Sequence, residues 1–273
     1  MKQLLKADLY RMRKSRLSRI ALILACAFPV LVVLLYAGLQ ALGDLGSDLA
    51  ETGLFNANSI IGSVYSLTNN IGLVVPAFAG ILACSDYSNG TLRNKVIAGN
   101  RRSSIYLSHL VVSILFSVGI ITIYALVSTG LSLLFFPFSK GAEQTFVRDI
   151  VFFVVYGTAT FAFAATISTM LAMVLRSTAP TILFTILFTV LLSVLTTVLS
   201  LIDYASFRHV IYCIPTFAGG FLSIGSLNVL DLLVQTNAAS KELIFAEGML
   251  SYLFFGTLNT VVGLLIFQKR DIK

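Results

Sequence analysis

Apolar residues along this chain gather into six long runs divided by short polar connections, and none of the runs carries a charge in its interior. The runs occupy roughly 17–42, 60–84, 105–136, 150–175, 180–202 and 249–267. A helix needs about 20 apolar residues to cross the roughly 30 Å of bilayer hydrocarbon, and each run is near that length. The pattern predicts an all-α membrane protein, a single transmembrane domain over residues 1–273 with six transmembrane helices. An even number of crossings leaves both termini on one side.

Two further stretches fall outside the six. Before the first run, Leu5, Leu9 and Met12 recur on one helical face among Lys2, Lys6, Arg11, Arg13, Lys14, Arg16 and Arg19. That pattern predicts an amphipathic helix lying in the inner interface, apolar face down, with its basic stems snorkelling to the headgroups. A secretory signal peptide is the competing reading, but the apolar run that follows is too long for one and lacks a convincing small-residue cleavage site. Later, 211–227 reads IYCIPTFAGGFLSIGSL, apolar but short and interrupted by Pro215 and the Gly219-Gly220 pair. The expectation is a re-entrant or interfacial hairpin between spans five and six at the outer mouth, with a marginal seventh span as the alternative.

Composition narrows the class. With 57% hydrophobic and 11% charged residues and a mean hydropathy of +0.92, a soluble globule is excluded as the expectation. Cys26, Cys84 and Cys213 lie in apolar surroundings at irregular spacing and read as small hydrophobes, neither a disulfide framework nor a metal site. The net charge of +7 raises nucleic acid as a partner, but its distribution answers the question. The amino-terminal segment, the loop after span two, the turn at Arg176 and the tail hold 15 Lys and Arg against three acids; the opposite connections hold four against nine. The positive-inside rule assigns the first set and both termini to the cytoplasm of a bacterial inner (plasma) membrane protein. The basic residues then serve topology and anionic membrane lipid, and no nucleic acid is needed.

Catalytic chemistry has little to stand on. His109 and His209 lie at opposite ends of the expected topology, and each reads as a local hydrogen-bonding residue. No H-E-x-x-H, G-x-S-x-G or metal-ligand spacing occurs, and there is no Walker A pattern to cradle a nucleotide. The chain itself is therefore expected not to be an enzyme and to hold no metal or cofactor. Carriers coupled to protons or ions place ionisable groups at membrane depth, and these runs hold only polar residues such as Asn69, Asn70, Tyr124, Thr160, Thr169 and Asn259. A drive from outside the membrane is favoured over an internal charge relay.

The loop after span two, SDYSNGTLRNKVIAGNRRSS over 85–104, cannot enter hydrocarbon, since each charge would cost about 2.5–3.5 kcal/mol. Asn89-Gly90 permits a tight turn, Thr91 is placed to cap a following helical turn, and Leu92, Val96 and Ile97 offer apolar contacts. Asp86 followed by Gly90-Thr91-Leu92-Arg93-Asn94-Lys95, then Gly99 and Arg101-Arg102, resembles the first cytoplasmic loop of type-2 ATP-binding-cassette exporter permeases. The amino-terminal elbow, six spans and outer hairpin resemble that family too, so the likeness extends over nearly the whole chain.

The resemblance implies a permease subunit that pairs with a second permease copy, identical or paralogous, and is driven by a separate ATP-binding cassette ATPase, which would bind the ATP and Mg. It further implies that the 85–104 loop, through Asp86, Gly90, Thr91, Leu92, Arg93, Lys95, Gly99, Arg101 and Arg102, holds a coupling helix docking in a cleft of the ATPase. Apolar walls with scattered hydroxyl and amide groups suit an amphipathic or hydrophobic substrate at least as well as an ion, and the resemblance implies export of an antimicrobial peptide or drug. A channel needing no ATPase, and a membrane sensor or scaffold subunit, are the alternatives from other classes.

Overall fold

The computed structural model describes residues 2–40, 57–67, 71–136, 146–200, 213–216 and 241–269. Among them every regular element is helical. The helices are α1 (Lys2–Lys14), α2 (Arg16–Gln40), α3 (Ala57–Ser63), α4 (Val74–Ser88), α5 (Thr91–Ile97), α6 (Arg102–Phe135), α7 (Phe146–Leu175), α8 (Thr178–Ser200) and α9 (Lys241–Lys269). Five of them, α2, α6, α7, α8 and α9, are long and apolar enough to cross a membrane.

The expected second span, 60–84, is not one helix. It is divided into α3 and α4, with turns at 64–65 and 71–73 between them. Two residues explain the break. Pro76 falls in the first turn of α4, where its missing N–H is harmless, whereas a helix continuing through from Ile60 would lose a bond and meet its ring. Gly72 lies against the backbone of Ser66 and Leu67 so closely that a Cβ would overlap it. The chain therefore folds back on itself before α4 begins, and α4 at 15 residues is shorter than a full crossing.

At the centre stands α7, packed against α4, α6, α8 and α9, while α2 lies on α6 and α8 on α4. The central helix is rich in small residues on its inward faces: Gly157, Ala164, Ala165, Ser168, Thr169 and Ala172 are all buried. Small side chains let helix axes approach, which in lipid replaces the hydrophobic drive that water would supply. At Gly157 the ring of Tyr65 occupies the space a Cβ would take, and that ring meets Phe153 edge-on at 5.1 Å.

The polarity of α8 is inverted relative to a soluble helix. Thr181, Thr185 and Thr189 are buried at successive turns, while Leu183, Phe184, Leu187, Leu191 and Val194 are exposed. The inward Thr181 and Thr189 hydroxyls donate to carbonyls one turn back, at 2.7 and 3.1 Å, so they are satisfied without water. A helix that turns leucines and phenylalanines outward and threonines inward fits an apolar solvent. The exposed apolar side of α2, from Ile20 to Leu35, fits the same surroundings.

Contacts at the two ends set the sense of the bundle. Arg102 Nη1, at the start of α6, donates to the Gln268 carbonyl near the end of α9 at 2.9 Å. At the far end, Arg148 of α7 pairs with Glu242 of α9 at 2.5 Å, and Phe152 stacks on Phe245 at 4.5 Å. So α7 and α9 run parallel, antiparallel to α6. The beginning of α8 lies with α4 at the Arg102 end, where Cys84 Sγ is 3.3 Å from Thr181 Oγ1. In consequence α8 ends and α9 starts at the same, far end.

The amino-terminal helix differs from expectation in its orientation. Leu5, Leu9 and Met12 pack against the main core cluster with Ala21, Ala25 and Phe116, and Leu4 is buried in the cluster around Leu92, Tyr106 and Phe267. The apolar stripe of α1 is thus turned onto the bundle, the larger apolar surface available to it. Of the expected outer hairpin, Pro215 is buried within a turn at 213–216; Gly219 and Gly220 lie outside the described residues, as do Asn69, Asn70 and His209.

Candidate functional site

Four helices meet at the Arg102 end of the bundle, and their polar side chains converge there in a buried ionic cluster. α1 supplies Asp8 and Arg11, α4 supplies Asp86, α5 supplies Thr91 and Lys95, and α6 supplies Ser108 and His109. Asp86 is fully enclosed, Asp8 is 3% exposed and His109 2%.

Asp86 is the hub. Its Oδ1 accepts from Thr91 Oγ1 at 2.5 Å and pairs with Arg11. Its Oδ2 lies 2.5 Å from Lys95 Nζ and 2.7 Å from His109 Nε2. Four donors fill the acceptor capacity of one carboxylate. Asp8 closes the circuit, with Oδ1 2.7 Å from Lys95 Nζ and Oδ2 accepting from Ser108 Oγ at 2.7 Å. Arg11 and Lys95 balance the two carboxylates, the condition under which buried charge is tolerable.

The electrostatics follow from enclosure and pairing. Burial pushes the Asp8 carboxyl up, but the hydrogen bonds from Lys95 and Ser108 and the nearby positive charge outweigh it, and the group lies below its ordinary value of 3.8. Burial pulls Lys95 below the ordinary lysine value, with Asp8 acting against it. Arg11 is likewise lowered by burial.

Local geometry explains why α5 forms. Gly90 opens it in the left-handed region, with φ 66° and ψ 6°, which glycine adopts without strain. Gly99, with φ 82°, closes it. The Gly99 amide donates to the Val96 carbonyl at 3.0 Å and the Asn100 amide to the Lys95 carbonyl at 3.3 Å, a left-handed helix stop. Between them Leu92 is 1% exposed, packed with Ala83, Cys84, Ile105 and Tyr106. Arg93, Asn94 and Ile97 face outward, Ile97 at 73% exposure.

Several expectations for the 85–104 loop change. Asp86 is not in water but sealed in the cluster, and Lys95 turns inward to join it. Thr91 does not cap α5, because its hydroxyl is held by Asp86, and Gly90 takes the capping position. Arg101 is exposed, and Arg102 is partly buried, reaching α9. His109 has the local hydrogen-bonding role expected of it. Asp8 and Arg11 were missed as site residues. The signal was present: Asp8 is the single acid among the first 19 residues and shares the helical face of Leu5, Leu9 and Met12, so a buried face would need a cation for it.

A cavity of about 190 Å³ lies between α7, α8 and α9, lined by Ile167, Met170, Phe184, Leu187, Phe188 and Asn259. Among the described residues no group of three or more His, Cys, Asp or Glu is arranged to hold a metal ion.

Fold and site together define a helical protein with, among the described residues, five helices able to cross a membrane and a charged junction at one end. The chain belongs to the family described as "Protein of unknown function (DUF2705)", which matches residues 49–273. The matched part takes in Asp86, Thr91, Lys95, Ser108 and His109, whereas Asp8 and Arg11 precede it. No match to this chain was found among the curated proteins or among the solved structures.

Proposed function

We propose that this chain is the membrane-spanning permease subunit of an ATP-driven exporter, working with a separate ATP-binding cassette ATPase. The observation that carries this reading is α5. It is a seven-residue helix whose inner side is anchored by Leu92 and the ionic cluster and whose outer side presents Arg93, Asn94 and Ile97. A short helix so held can receive a push without folding away, and it stands between α4 and α6, to which it would pass that push. An acidic group lining a cleft of the ATPase would meet Arg93, and an apolar pocket would take Ile97.

In this reading the broken α3–α4 pair makes a sixth crossing, both termini are cytoplasmic, α1 is the elbow and the segment after α8 returns as an outer re-entrant hairpin. Two permease copies enclose a path, and nucleotide binding in the partner biases two packings of the bundle, the content of an alternating-access mechanism. Scattered buried hydroxyls among apolar walls support an amphipathic or hydrophobic substrate, such as an antimicrobial peptide or drug.

The test is co-purification with the ATPase subunit, followed by substitution of Gly90, Thr91 and Arg93. The reading expects the complex to weaken, or its ATPase rate to lose dependence on substrate. If all three variants retain both the complex and substrate-stimulated ATPase, α5 is not the coupling element.

A further inference from the structure

The cluster does more than neutralise charge. Asp8 on α1 reaches Lys95 on α5, Arg11 on α1 reaches Asp86 beside α5, and Lys95 itself reaches back to Asp86. These ties cross between α1 and the α4–α5 corner, and His109 and Ser108 fasten the crossing to α6. Ion pairs enclosed in protein resist shear far better than exposed pairs, because separating them strands charge in a medium of low polarity.

The joint between α1 and α2 is equally tight. Only Ser15 separates them, its hydroxyl accepting from the Ser18 amide at 3.0 Å and meeting Ser18 Oγ at 2.8 Å. The Ser15 amide donates to the Met12 carbonyl at 3.2 Å, and the Arg19 amide to the Ser15 carbonyl at 3.4 Å. Ser15 thus caps the start of α2 and leaves a single residue of connection between the two helices. Ala21 and Ala25 of α2 then pack into the main core.

We propose that α1 and α5 form one lever, latched by Asp8, Arg11, Asp86 and Lys95, which carries displacement of the loop directly into α2 through the Ser15 joint. The first crossing, remote in sequence from the loop, would then move with it, alongside α4 and α6. The reading above supplies what would push the loop, but the lever is a property of this chain alone. It can be tested without any ATPase, so its failure and the failure of that reading are separable.

The experiment uses the full chain in lipid nanodiscs, with Cys26, Cys84 and Cys213 replaced. Spin-label distance distributions are recorded for two exposed pairs, Ala7 with Asn94 and Ile20 with Asn94. The isosteric Asp8→Asn should broaden both distributions, and Asp8→Glu, which keeps the charge, should broaden them less. Ser15→Gly should broaden only the Ile20–Asn94 distribution, leaving Ala7–Asn94 as it was. Unchanged widths in Asp8→Asn would overturn the latch. An unchanged Ile20–Asn94 width in Ser15→Gly would overturn the transmission to α2.

Discussion

Asp86 shows how much one side chain organises here. It accepts from three helices besides its own, and removing it leaves Arg11, Lys95 and His109 with Asp8 as the one remaining carboxylate of the cluster. Breaking a buried ion pair by deleting one partner costs about 3–5 kcal/mol, so Asp86→Ala should lower thermal stability in detergent sharply. The exposed Arg148–Glu242 pair is the internal control. Both partners there are substantially solvated, and Glu242→Ala should cost under about 1 kcal/mol. Comparable losses in the two variants would show that the cluster does not hold this end together. Asp8 adds a pH signature. Its carboxyl lies below its ordinary value of 3.8 in the folded chain, so its contribution is complete above that value and is lost as pH falls through the lower, folded value. Hydrogen exchange of α1 amides should stay flat from pH 7 to about 4 after correction for intrinsic rates, and rise below. Asp8→Asn should abolish the step.

At the scale of elements, what the sequence discloses depends on which force decides. Five of the six apolar runs correspond to helices within a few residues at most ends, because hydrophobic length alone sets them. The start of α9 is the exception: Lys241–Gly248 reads as polar loop, yet these residues form helix, with Ile244 buried and Phe245 against Phe152. The remaining run, 60–84, breaks at Gly72 and Pro76, which hydropathy counts as neutral and only backbone geometry distinguishes. For the site, Asp86, Gly90, Gly99 and Lys95 were legible as a punctuated polar loop. That Lys95 points inward was not, since burial of a lysine depends on a carboxylate 87 positions earlier in the chain. Close packing of α7 offers a sharp test at this scale. A Cβ at Gly157 would overlap the Tyr65 ring, whereas nothing lies within 4 Å of one at Gly256. Gly157→Ala should destabilise by about 1–3 kcal/mol through forced repacking. Gly256→Ala, in an open part of α9, should be neutral or stabilising by up to about 1 kcal/mol. Thermal unfolding of the two variants side by side decides whether the α7 contact is as tight as drawn.

For the molecule as a whole, the parity of crossings between α5 and α9 fixes its topology. Three helices able to span a membrane, α6, α7 and α8, separate Asn94 from Glu242, so the two residues must lie on opposite sides if 211–227 makes no net crossing. Were that segment a further span, four crossings would intervene and the residues would share a side. The contacts of Arg148 with Glu242 and of Arg102 with Gln268 place the two ends of α9 at opposite ends of the bundle, and α8 ends where α9 begins, which favours the odd count. The excess of Lys and Arg at the Asn94 end is the basis for the proposal that this end is cytoplasmic. On a background lacking Cys26, Cys84 and Cys213, Asn94→Cys should react with a membrane-impermeant maleimide only in inside-out vesicles, and Glu242→Cys only in right-side-out ones. Reaction of both from the cytoplasmic side would establish an even number of crossings between them and remove the re-entrant hairpin. Reaction of Asn94→Cys from outside would invert the bundle, and with it any role for α5 in meeting a cytoplasmic ATPase.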